Sequence, residues 1–129
     1  MELRIEGVIY PCKYTVLAEQ KLCEYFGSIE NISVALNDCD LGKKIDGIAY
    51  ILEALIAGGV QREKQKSMLL GKEYSGPEPI SAEVLAELYT PGEILDLSDG
   101  FMAEIQAGYN TTIAVEEPKR KNGKATLSK

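Results

Sequence analysis

The sequence predicts an α+β fold that is mostly α, with an N-terminal β-hairpin packed on a bundle of about five to six helices. Three patterns support this prediction. Polar and apolar residues alternate at the start of the chain, a long aliphatic stretch with helical spacing follows, and the second half contains repeated helix start and stop signals.

The aliphatic stretch at residues 41–59 is the predicted central helix. Its large apolar side chains recur every three or four residues, at Leu41, Ile45, Ile48, Leu52, Leu55 and Ile56. This spacing places them on one side of a helix. Ala49 and Ile51 widen that side enough to contact at least two neighbours. Asp40 is the predicted N-cap, and Gly58 and Gly59 are predicted to end the helix.

The opening residues predict a β-hairpin. Apolar side chains alternate with polar ones at Leu3, Ile5, Val8, Tyr10, Cys12 and Tyr14. A period of two is typical of half-buried strands. Between the two runs, Gly7 in the pair Glu6-Gly7 can adopt the positive φ of a tight turn. Pro11 cannot donate to a ladder, which predicts that its strand lies at an edge or contains a bulge there.

Cap residues predict the shorter helices before and after the central one. Thr15 is the predicted N-cap of a helix over residues 16–26 that stops at Gly27. A second helix is expected over residues 29–36, after Ser28 and before the turn at residues 37–40. A mostly polar helix over residues 60–71, with an apolar end at residues 68–70, is expected after the central one.

The last predicted helices begin after a loop at residues 72–79. Ser81 starts the first of them, with Ile80 and Leu85 placed to pack across its first turn. Thr90 and Glu93 form a predicted capping box, with proline at the first helical position. We expect that helix to continue to Gly108, with an apolar stripe of Ile94, Leu97, Phe101 and Ile105.

Charge divides the chain into a body and a tail. Residues 116–129 carry a net charge of +3, whereas the chain as a whole carries −6. Residues 1–110 are predicted to form one globular helical domain that includes the hairpin. Residues 111–129 are predicted to be a flexible basic C-terminal tail, because their composition cannot form a packed core.

Composition argues against most catalytic chemistry. The sequence has no histidine, which excludes Ser-His-Asp and Cys-His sites. Cys12, Cys23 and Cys39 are expected to be buried free thiols rather than disulfide partners or zinc ligands. The carboxylates at Glu83 and Glu87 lack an apolar setting that would raise a pKa. We therefore expect a protein that is not an enzyme and that binds no cofactor or metal.

The same features bear on location. No apolar run approaches the roughly 20 residues of a membrane span, and the alternating N-terminus does not resemble a signal peptide. We expect a cytoplasmic protein. The net charge of −6 argues against nucleic-acid binding.

Tyrosines offer the main candidates for a binding surface. Tyr10, Tyr14, Tyr25 and Tyr50 could lie at the margin of the core or form a binding patch, because a tyrosine buries its ring while its hydroxyl stays in water. Helical projection places Tyr50 opposite the apolar side of its own helix. Tyr25, Phe26 and Tyr50 are the candidate partner-binding residues.

The order of these segments resembles a known family. The opening LRIEGVIYPCKYT contains L-x-I-x-G-x-x-Y, and the closing ISAEVLAELYTPGEILDLSDGFMAEIQAGY contains T-P-x-E-I. With the helix VLAEQKLCEYFGSIENI and the central aliphatic helix between them, residues 1–110 resemble the small tail assembly chaperones of long-tailed bacteriophages and prophages.

This resemblance implies a function in the cytoplasm of a bacterial host. Proteins of that family bind the long tape-measure protein and keep its hydrophobic helices from aggregating until tail-tube subunits replace the chaperone. The family often also makes a longer product by ribosomal frameshifting. The implied partner is the tape-measure protein, and the tail-tube protein and a second copy of the chain are further candidates.

Two alternatives stay open from sequence. The first is a structural head–tail or tail-completion protein that persists in the virion. The second is a small host regulator whose basic tail, through Lys119, Arg120 and Lys121, touches nucleic acid.

Overall fold

A computed structural model describes residues 1–28, 30–37, 40–98 and 100–110 of the chain. This part of the chain forms a two-stranded antiparallel hairpin and six helices, which confirms the predicted α+β, mostly α class. In chain order the elements are β1 (Glu2–Ile5), β2 (Val8–Pro11), α1 (Val16–Phe26), α2 (Glu30–Leu36), α3 (Leu41–Leu69), α4 (Ala82–Leu88), α5 (Pro91–Leu97) and α6 (Phe101–Asn110).

The hairpin turns at the predicted pair. Glu6 and Gly7 have φ values of 52° and 83°, the two positive angles that a tight two-residue hairpin turn requires. Leu3 and Ile5 of β1 are buried, whereas Glu2 and Arg4, which alternate with them, are exposed. Pro11 lies at the end of β2, opposite Glu2, where its missing N–H removes little from the ladder.

Local caps fix both ends of α1 as predicted. The Thr15 side chain accepts a hydrogen bond from the backbone N–H of Ala18, at 3.2 Å. Gly27, with φ of 88°, ends the helix and donates its N–H to the carbonyl of Cys23. The prediction that Cys23 is buried holds only in part, because it is half-buried.

The central helix is longer than predicted. Asp40 caps its start by accepting from the N–H of Lys43, but the helix then runs without a break to Leu69. The prediction that Gly58 and Gly59 stop it is wrong, and residues 60–69 continue the same helix rather than form a separate one.

Gly58 and Gly59 lie inside the helix, and the close approach of the hairpin leaves no space for a side chain at either position. A Cβ atom on Gly59 would lie 2.1 Å from the carbonyl oxygen of Pro11, and one on Gly58 would lie 2.4 Å from the carbonyl oxygen of Lys13. The segment after β2 therefore lies directly against the backbone of α3. The helix ends later, before Gly71, which adopts a φ of 71°.

The core surrounds the middle of α3. Its buried apolar side chains come from β1 and from every described helix, as Leu3, Ile5, Leu22, Ile32, Ile48, Ile51, Leu52, Leu55, Ile56, Val60, Leu85, Ile94, Phe101 and Ile105. Leu41 is predicted to belong to this stripe but is 55% exposed, and its neighbours Gly42 and Lys43 in the first turn of α3 are exposed too. Ile45 is half-buried.

The last predicted helix is two helices. The capping box of Thr90 and Glu93 is present, but α5 ends at Leu97 and α6 begins at Phe101. Gly100 has φ of 87°, which a helix interior cannot contain, so the chain changes direction there. Gly108 lies inside α6 instead of ending it; a Cβ atom there would be 2.6 Å from the Tyr14 ring.

Polar contacts attach α6 to the rest of the body. One carboxylate oxygen of Glu104 lies 3.1 Å from the amino group of Met1, and the other accepts from the N–H of Tyr14, at 3.4 Å. The Tyr14 and Tyr109 hydroxyls both donate to Glu19 on α1. These contacts join α6 to the N-terminus, to the segment between β2 and α1, and to α1 itself.

Several predictions fall on residues outside the described part of the chain. They concern Ile29, residues 38 and 39 of the turn before α3, which include Cys39, and the basic tail at residues 111–129. Within the described ranges, no helix combines the length and the apolar character needed to cross a membrane.

Candidate functional site

An open apolar groove lies where α1, α3, α4 and α5 meet. We call it the aromatic groove, and its lining residues are Tyr25, Ile45, Asp46, Ala49, Tyr50, Ala82, Glu83, Ala86 and Ile94. Its volume is about 280 Å³. Small-molecule sites usually occupy about 300–1,000 Å³, so this groove has room for one or two large side chains.

Helical spacing explains how each wall forms. On α3, Ile45 and Ala49 are four residues apart and lie on one face. On α4, Ala82 and Ala86 have the same spacing. Alanine side chains on the α4 face leave open the space that larger residues would fill. Ile94 is buried at the bottom, where the capping box has just started α5.

Two predicted candidates form the aromatic wall. The rings of Tyr25 and Tyr50 are stacked, with centroids 3.8 Å apart and planes 15° from parallel. Tyr25 is 43% exposed and Tyr50 is half-buried, so part of the stacked pair is open to solvent. Two stacked tyrosines present a wide, rigid surface with little rotamer freedom to lose on binding.

Phe26 has a different position from the other two candidates. Its ring meets that of Tyr25 edge to face, with centroids 4.8 Å apart and planes at 86°. It packs against the core and does not line the groove. Gly47 of α3 lies next to this ring, and a Cβ there would be at ordinary contact distance from it, 3.5 Å. Phe26 therefore supports Tyr25 from behind.

The groove has an acidic edge. Asp46 follows Ile45 on α3, Glu83 follows Ala82 on α4, and both are exposed. Burial of the Tyr25 ring raises the pKa of its hydroxyl, and the negative charge of Asp46 raises it further. Tyr25 therefore stays neutral and keeps its hydroxyl hydrogen at physiological pH.

Sequence reasoning missed the α4 wall and both carboxylates of the groove. Glu83 was interpreted only as part of a solvated pair with Glu87. A signal was present, because Ala82 and Ala86 mark a face of small residues on a predicted helix. Nothing in the sequence, however, tells which other helix that face approaches.

A second exposed apolar surface lies at the far end of α3. Met68, Leu69 and Leu70 are all largely exposed, with Leu69 at 85%. They form the apolar end that the sequence predicts for residues 60–71.

No protein-family model, curated protein or solved structure matches this chain.

Cys12 and the metal-ligating types of side chain complete the description of the polar groups. Burial raises the pKa of the Cys12 thiol to about 12, which keeps it protonated and poorly nucleophilic. Across residues 1–28, 30–37, 40–98 and 100–110, no three carboxylate or thiol side chains are grouped in a way that could hold a metal ion.

Proposed function

We propose that this protein is a tail assembly chaperone of a bacteriophage or prophage, which binds apolar helices of the tape-measure protein in the cytoplasm of the bacterial host. The aromatic groove is the observation that carries the proposal. An amphipathic helix binds by laying its apolar face into a groove between helices. The resemblance of residues 1–110 to the chaperone family supplies the identity of the partner.

The size of the groove suits reversible binding. It accepts one or two apolar anchors, and a small number of anchors gives modest affinity once the loss of translational and rotational freedom is subtracted. A chaperone that must later yield to tail-tube subunits needs this property. On this proposal the protein works by binding and not by catalysis.

The groove also suits a partner that aggregates when free. An exposed apolar helix needs its apolar face covered, and the Tyr25–Tyr50 stack offers aromatic surface while its hydroxyls remain near water.

Co-expression with the tape-measure protein tests the proposal. We expect the wild-type chain to keep the tape-measure protein in the supernatant and to co-purify with it. Ala86→Leu fills the groove from the α4 side without removing a core contact, so it should abolish both effects. Ala103→Leu is the matched control, because Ala103 is exposed on α6 and does not line the groove.

Two results would refute the proposal. One is equal co-purification of the tape-measure protein with wild type and with Ala86→Leu, provided both variants fold. The other is the presence of this chain in purified virions at a fixed copy number, which would identify a structural component that persists after assembly.

A further inference from the structure

The charges at the edge of the aromatic groove come from two different walls. Asp46 belongs to α3 and Glu83 belongs to α4, so an apolar anchor in the groove has a carboxylate on each of two walls. Among the described residues, the charged side chains that line the groove are both negative. The edge therefore has one sign of charge on both sides of an apolar floor.

Three other carboxylates of the described residues lie within ion-pair distance of a cation, and these two do not. Glu78 pairs with Lys64, Glu63 lies within ion-pair distance of Arg62, and Glu104 pairs with the amino group of Met1. Neither Asp46 nor Glu83 forms an ion pair with a cation of the described residues. Both can therefore pair with a cation supplied by a bound chain.

We propose that the aromatic groove selects helices that carry a lysine or arginine next to their apolar anchor, and that Asp46 and Glu83 pair with this cation from opposite walls. The inference rests on the proposed use of the groove for helix binding and adds a rule for which segments bind. The occupant is thus a cationic amphipathic helix of another protein.

Opposite charges at the edge of a groove mainly determine which helices bind, and they add little to the affinity. An exposed ion pair contributes a small free energy, whereas like charges brought together at an interface are unfavourable. Helices with acidic residues beside the anchor are therefore disfavoured. Helices with basic residues there bind faster, because opposite charges steer the encounter. The apolar contacts with the groove contribute the same binding free energy for basic and for acidic helices.

Synthetic peptides separate the effect of a cation beside the anchor, which we call the charge rule, from the effect of the apolar contact. The first probe is an amphipathic peptide of about 20 residues, long enough to form a helix, with leucine on one face and lysine beside it. The second replaces each lysine with glutamine. We expect full-length wild type to bind the lysine peptide about three- to tenfold more tightly, as two exposed ion pairs allow. High salt should remove the difference, since the Debye length falls to about 3 Å at 1 M.

The Asp46→Asn, Glu83→Gln double variant should lose the preference for the lysine peptide and keep the affinity for the glutamine peptide. Its matched control is Glu2→Gln with Glu73→Gln, two exposed carboxylates that do not line the groove and change the net charge equally. The control should behave as wild type. Thermal melting of both variants confirms that they are folded.

Each failure has its own signature. Equal affinity of wild type for both peptides, blocked by Ala86→Leu, overturns the charge rule and leaves the proposed function standing. A lysine preference that depends on Asp46 and Glu83, without any binding of the tape-measure protein, overturns the proposed function alone.

If neutralising Lys119, Arg120 and Lys121 strengthens lysine-peptide binding at least tenfold, the groove's occupant is the chain's own basic tail, and the inference of an external partner is wrong.

Discussion

The backbone N–H of Lys13 donates a hydrogen bond to the carbonyl oxygen of Leu55, at 3.0 Å. This bond joins the segment that leaves β2 to the middle of the central helix. It can form only because Gly58 and Gly59, one turn further along α3, have no side chains to hold the two backbones apart. The hairpin and the helix are thereby fixed in one arrangement.

The first prediction concerns Gly59→Ala. In an ordinary helix interior this change stabilises by about 1 kcal/mol. Here the added Cβ would lie 2.1 Å from the Pro11 carbonyl oxygen, and a backbone atom cannot rotate away as a side chain can. We expect a net loss of about 1–3 kcal/mol in the free energy of unfolding, as for other overpacked sites.

Urea denaturation measures this change, and Gly92→Ala in α5 is the matched control. A Cβ at Gly92 meets nothing within 4 Å, so that variant should be neutral or more stable. A gain in stability at both positions would mean that the strand does not lie against the helix at Gly59.

The second prediction concerns the core face of α3. Leu52 is fully buried, with 0% of its surface exposed. Leu52→Ala should lower the free energy of unfolding by about 2–5 kcal/mol, through lost burial and the cavity left behind. Leu52→Asp should prevent folding, because it places an unpaired carboxylate in the core.

Leu69→Ala is the control for Leu52→Ala, since it removes the same atoms from the exposed end of the same helix. It should change the free energy of unfolding by less than about 0.5 kcal/mol. Comparable losses at the two positions, measured by thermal melting, would contradict the assignment of the core face.

The third prediction concerns the reactivity of Cys12. Its side chain is 3% exposed, and burial raises its pKa to about 12, well above the ordinary thiol value near 8.5. At about pH 8 the folded protein should therefore leave Cys12 unmodified by iodoacetamide. Peptide mapping with and without urea provides the measurement, and rapid labelling of Cys12 in the folded protein would show that the hairpin opens readily.

The fourth prediction concerns alkaline pH. Burial, and next the hydrogen bond with Tyr109, raise the pKa of Tyr14 in the folded protein well above the ordinary value of about 10. Above about pH 10 the unfolded chain releases this proton while the folded protein retains it, so stability falls as pH rises. Below that pH the contribution is fully present.

Replacing Tyr14 with phenylalanine removes this contribution. Tyr14→Phe should therefore lose less stability than wild type between about pH 8 and about pH 11, as measured by urea midpoints at both values. An identical pH dependence for the two proteins would show that Tyr14 is not held neutral by its contacts with Tyr109 and Glu19.

Local chemistry in the sequence accounts for much of the fold. Thr15, Asp40, Ser81 and Thr90 cap helices as predicted, because a cap depends on a side chain and an N–H only two or three residues away. The turn at Glu6-Gly7 depends on the same short range. The spacing of Ile48, Leu52 and Leu55 also sufficed to place them in the core.

Only some residues of the aromatic groove can be predicted from the sequence. The sequence makes Tyr25 and Tyr50 candidates because a tyrosine suits either the margin of a core or a binding patch, and the structure stacks the two rings. The sequence did not reveal that α4 forms the opposite wall, or that Glu83 faces the same groove as Asp46. Those relations join residues more than thirty positions apart in the chain.

The sequence alone therefore determined which segments are helices and strands, most of their first residues, and which side chains are apolar enough to be buried. The tertiary structure decided what Gly58, Gly59 and Gly100 do. A missing Cβ permits a helix stop, a positive φ and a close backbone contact alike, and each outcome is a local minimum for glycine. Only the approach of Pro11 and Lys13 from the far end of the chain selects the close contact at Gly58 and Gly59.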